Sequence, residues 1–214
     1  MPAPPPHNVN CDAQRRRASR GRRILRTCWV SLVVIAFDVL VGTAWHETVG
    51  HGLTAVAFGA RITHIDVAGF RCYPEFRWIG RPRSGHFGEC GHSRIDDPCA
   101  DGLIRLAGSL STSVIAVIAT ILLCRGGFRG WTWVLMCALS MWWVDLFLYT
   151  IPSFGLRRYI LWGPSYSEPY EAAVALGVPG PVFQVFVIVT SAFLTLAIAR
   201  QIVPAIREMV FCHS

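Results

Sequence analysis

The chain has no lysine. All 20 of its basic residues are arginine, set against 13 acidic residues for a formal charge of +7. That surplus does not describe a nucleic-acid binder, because seven arginines crowd between Arg15 and Arg26, directly before an apolar run. There they act as a topology signal or an anionic-lipid contact. The eight cysteines include no C-x-x-C pair, which removes support for a thioredoxin-like or zinc-ribbon arrangement. Internal repeats are also missing. Charged residues make up only 15% of 214 positions and hydrophobic ones 53%, a balance that excludes an ordinary soluble domain and indicates one integral membrane domain in contact with a lipid bilayer.

The expected fold class is an all-α integral membrane protein with about four transmembrane helices and a short β element after the first span. Residues 1–23, rich in proline and then arginine, have too little apolar surface to fold alone and read as a disordered tail. The membrane domain covers residues 24–203, and 204–214 form a C-terminal tail. Spans are expected at 24–58, 103–124, 131–151 and 182–203, the third ended by Pro152, with loops 61–102 and 153–181 outside them. In the first loop the branched residues Thr63, Ile65 and Val67 alternate with His64 and Asp66, which predicts one strand, half of a hairpin at most. Residues 71–101 show no period and read as a loop. His86, Glu89, Cys90 and His92 fall there as solvated residues. Among Cys72, Cys90 and Cys99, one disulfide is expected if the loop is extracytoplasmic and none if it faces the cytoplasm.

At the end of the first span stands Ala44-Trp45-His46-Glu47-Thr48-Val49-Gly50-His51. Three ionisable groups within one and a half turns are costly in an apolar span, which makes them a functional hypothesis by default. They come close to the zinc-protease pattern H-E-x-x-H, in which two imidazoles hold the metal and the Glu is the general base. The spacing here is five, not four. In a regular helix, His46 and His51 lie roughly 140° apart and cannot share a metal. One wider π-type turn brings them to about 50°, and Gly50 has no side chain to resist it. Asp38 reads as a bond to a neighbouring helix.

The six residues His46 to His51 resemble the H-E-L-L-G-H motif of the dipeptidyl peptidase III family, where the longer spacing is compatible with zinc. The order of parts over roughly residues 40–180 resembles the site-2-protease-like intramembrane zinc metalloproteases. It runs from the His-Glu-His motif through the β element and the small-residue motif Ala107-Gly108-Ser109-Leu110 to a span from Asp145 to Pro152. No Asp-Gly follows Pro152, and Ser167-Glu168-Pro169 resembles the S-D-G-type segment of the compact branch. The resemblance implies His46 and His51 as metal ligands, a third ligand from Asp145 with Glu168 in reserve, and Glu47 as catalytic base. Counting heights favours Asp145, since His46 lies about 28 Å up the first span and Asp145 about 21 Å up the third from the same side.

The resemblance further implies zinc as cofactor, hydrolysis of a locally unwound membrane-protein segment, and a place in the membrane, a bacterial plasma membrane given the arginine-only, GC-rich composition. Oligomeric state is open. A catalytically silent membrane partner is the alternative, and a metal-ion carrier a weaker one without inverted repeats.

Overall fold

The computed structural model describes residues 9–80, 87–156 and 167–211. Four helical stretches are long and apolar enough to cross a membrane: Thr27–Ala57, Pro98–Arg125, Gly130–Phe154 and Gly180–Ala205. Their outward faces carry Trp29, Leu32, Ile35, Ile118, Phe186 and Phe193, all exposed, the reverse of a bundle that meets water.

Helix α1, Val9–Trp45, passes without a break into a π-helical segment, His46–Leu53, and a last turn α2, Thr54–Ala57. The helix therefore begins inside the stretch expected to be a disordered tail, of which residues 1–8 lie outside the described residues. Once a long apolar run has nucleated a helix, extension fixes one residue per bond, and Ala13, Gln14, Arg15, Arg16 and Arg17 are all good helix formers.

Gly59, at φ 82°, turns the chain into a four-stranded antiparallel sheet. The strands are β1 Ile62–Val67, β2 Phe70–Tyr73, β3 Arg77–Trp78 and β4 Gly88–His92, in the order β3-β2-β1-β4. Only β1 was expected. Strands β2 and β4 show no apolar alternation because they hold Arg71, Cys72, Gly88, Glu89 and Gly91, so their pairing is imposed by β1 between them and not by their own pattern. Ala68 and Gly69 both have positive φ and connect β1 to β2 as a two-residue hairpin of the kind that matches strand twist. The Arg71 guanidinium closes on Asp66 at 2.8 and 2.9 Å and holds that carboxyl below its usual range. Cys72, Cys90 and Cys99 are free thiols, so no disulfide joins them.

Helix α3, Pro98–Arg125, is capped by Asp97, which accepts a bond from the Cys99 amide. It touches the π segment, α4, α5, α6 and α7, and its buried positions are small: Gly102, Gly108, Ser109, Thr112, Ala116 and Ala119. Small residues let neighbouring backbones close in where no hydrophobic drive separates helix from surroundings. The third span is not one helix. It consists of α4 Gly130–Ser140, a break at Met141 and Trp142, α5 Trp143–Thr150, and a 3₁₀ turn Ile151–Phe154 holding Pro152. The expected loop 153–181 contains a further helix, α6 Glu168–Ala175. Helix α7, Gly180–Phe211, closes the bundle, with Phe183 and Val187 packed on Leu146 and Ala173.

Candidate metal centre

The expected wide turn is present. The π segment starts at His46 and runs through His51, and the two Nε2 atoms lie 3.0 Å apart. Gly50 explains why the chain can come so close to α3. A Cβ on Gly50 would sit 2.5 Å from the Gly108 Cα and 2.9 Å from the Ala107 carbonyl, so no other residue fits without moving backbone. From the opposite side, a Cβ on Gly108 would lie 2.5 Å from each of the two Nε2 atoms. The small-residue motif of α3 is thus the wall against which the imidazoles stand.

Hydrogen bonds fix both rings. His46 Nδ1 donates to Asp145 Oδ2 at 2.8 Å, and that oxygen also accepts from the Thr112 hydroxyl at 2.8 Å. His51 Nδ1 donates to the Ile104 carbonyl at 2.7 Å. A carbonyl and a carboxylate can only accept, so each Nδ1 carries the proton and each Nε2 presents a lone pair. Two lone pairs 3.0 Å apart repel unless a proton or a cation lies between them. Tyr149 stacks on His46, ring centroids 5.2 Å apart, and limits the ring's rotation further.

The third ligand-type group at this point is Glu168, not Asp145. One ligand atom each from His46, His51 and Glu168 lie within 4.8 Å of one another, and Glu168 Oε2 stands 4.0 Å from His51 Nε2. Asp145 reaches the expected height but meets the far nitrogen of His46, where it orients a ligand in place of being one. Counting residues along a span gives height and leaves rotation about the axis open, and the break at Met141 and Trp142 resets that rotation. Glu168 is delivered by its own cap. Ser167 Oγ donates to the Tyr149 carbonyl at 2.8 Å, Pro169 opens α6, and Ala172 and Ala173 are buried.

Two neutral imidazoles and a carboxylate, with each free ring nitrogen anchored, suit zinc, and equally iron(II), cobalt(II) or manganese(II). Glu47 is only 4% exposed and points toward β4, where a Cβ on Gly88 would lie 2.5 Å from its Oε1. Glu47, His51, Tyr149, Glu168 and Cys90 share a cavity of about 520 Å³. Burial, with the Glu47 charge second, pushes the Cys90 thiol up to about 12. It therefore stays protonated and is a poor ligand.

Of the residues singled out in the sequence, His46, Glu47, His51 and Glu168 meet here, Asp145 stands behind His46, and Asp38 accepts a bond from Trp142 Nε1 at 3.2 Å. Glu89, Cys90 and His92 lie on β4 at the cavity, and His86 lies outside the described residues. Thr112, Tyr149 and Ser167 were not legible as site residues. Only the Ser-Glu-Pro run, a helix-start signal, could have pointed to the last. The chain matches no family model, and no curated protein or solved structure matches it.

Proposed function

We propose that the protein is an integral membrane metallopeptidase in which His46, His51 and Glu168 hold zinc and Glu47 is the general base. The observation that carries this reading is the pair of Nε2 lone pairs facing each other at 3.0 Å beside a buried, cavity-facing carboxylate. The four apolar stretches support a site embedded in a bilayer.

Zinc bound there would lower the pKa of a coordinated water and polarise a peptide carbonyl. Glu47 is the residue positioned to accept the water proton and return it to the leaving amine. Asp145 and the Ile104 carbonyl keep each Nδ1 protonated, so both Nε2 atoms stay available as ligands. Tyr149 and the sheet bound the cavity that receives the chain to be cut. That chain must be unwound, because a helical segment hides its carbonyls.

The test is metal content measured beside cleavage of a membrane-tethered reporter. Wild-type protein should retain about one metal ion and cleave, Glu47→Gln should retain the ion and lose cleavage, and His46→Ala should lose both. Metal retention without cleavage by the wild type would favour a silent membrane partner, and full cleavage by Glu47→Gln would remove the mechanism.

A further inference from the structure

Among the described residues, the cavity lining holds the carboxylates Glu47, Glu89, Asp101, Glu168 and Glu171, against one guanidinium, Arg105. Arg105 is already committed, its Nε 2.9 Å from Asp101. Glu47 and Glu168 are assigned to the chemistry, and a dication offsets both. The remaining charge is that of Glu89 on β4 and Glu171 on α6, on two different walls of one cavity. Glu89 meets His64 only at 3.4 Å, a contact too long to neutralise it. The cavity also has depth, since Glu47 lines it at 4% exposure and makes no side-chain hydrogen bond among the described residues. A segment drawn in to reach Glu47 must pass both carboxylates.

We infer that this cavity selects a substrate segment carrying a cationic side chain, arginine or lysine, beside the bond to be cut. The inference rests on the peptidase reading for its reaction, but its charge argument is independent and can be measured without turnover. A negatively lined cleft with low-dielectric walls raises the local concentration of a cation and rejects an anion. The selected class is therefore an apolar membrane segment with a basic residue at its unwound point.

The measurement is anisotropy of fluorescein-labelled apolar peptides with arginine, citrulline or glutamate at the centre, titrated with detergent-solubilised, zinc-loaded full-length Glu47→Gln. Citrulline keeps the shape of arginine and removes its charge. Arginine should bind about tenfold tighter than citrulline, as two partly exposed ion pairs allow, and glutamate should bind weakest. Adding Glu89→Gln and Glu171→Gln should shrink the arginine preference to about twofold or less, while Glu75→Gln, on an exposed turn of the sheet, should leave it unchanged. Equal binding of arginine and citrulline overturns the inference, as does a preference that survives loss of both carboxylates. The arginine-to-citrulline comparison is made within one protein, so it holds even if a variant folds poorly. A charge preference in a wild type that never cuts any peptide would overturn the peptidase reading and leave this one standing.

Discussion

The two imidazoles face α3 on one side and the cavity on the other, and the two sides are built on opposite principles. On the α3 side, Gly108 approaches so closely that one added carbon would touch both Nε2 atoms, and Thr112 and Asp145 form a fixed chain of hydrogen bonds to His46. On the cavity side there is room for about 520 Å³, with carboxylates in place of small residues. The packed side sets how well the rings are held, and the open side sets what can reach them. Affinity for a metal and choice of substrate are therefore separable by mutation.

Gly108→Ala tests the packed side most severely. The new methyl must push the imidazoles apart or shift α3, so metal retention should be abolished, with a loss of about 1–3 kcal/mol or more in stability from overpacking. Gly102→Ala is the control on the same helix. Its methyl would meet the flexible Leu176 at 3.1 Å, and the gain in helix propensity of up to about 1 kcal/mol offsets the crowding. Thermal melts and metal analysis of the two variants check this.

Glu47→Gln tests the open side and should lower reporter cleavage on the order of 10²- to 10⁴-fold with metal content unchanged. A matching loss of metal would mean that Glu47 is a ligand. Asp145→Asn should be milder, weakening metal affinity roughly 10- to 100-fold through the orientation of His46 while leaving the fold intact. If Asp145→Asn removes the metal as completely as His46→Ala does, Asp145 is in the metal's coordination sphere after all.

The smallest effect is expected in the sheet, away from the rings. Arg71 holds the Asp66 carboxyl below its ordinary value of about 3.9. The pair's contribution is thus fully present above that value and is lost as pH falls through the depressed one. Amide exchange in the hairpin of β1 and β2 should rise below about pH 4 in the wild type. In Asp66→Asn that acid step should be missing.

What the sequence revealed follows the same division. The wide turn was legible because a five-residue spacing of two histidines with a glycine between them admits few geometries. The four apolar stretches were legible from length and composition alone. The packed side was read only as generic helix packing, since Ala107-Gly108-Ser109 states that something approaches and not what. Strands β2 and β4 were invisible because their residues have no pattern of their own, and the turn at Ala68 and Gly69 is not one of the common glycine-asparagine pairs. Asp145 was assigned the wrong nitrogen because depth is readable from residue count and rotation is not. Thr112 and Tyr149 gave no signal, being ordinary residues whose roles exist only once the helices have packed.

The central claim is the ligand set, and X-ray absorption at the zinc edge of the zinc-loaded, purified protein tests it most directly. The expected spectrum shows two imidazoles and oxygen or nitrogen neighbours at about 2.0–2.2 Å with no sulfur. One imidazole should disappear in His51→Ala, with two retained in Glu47→Gln. A protein that cannot be loaded with one zinc ion, or a shell containing sulfur from Cys90, or a shell unchanged in both His46→Ala and His51→Ala, would contradict it.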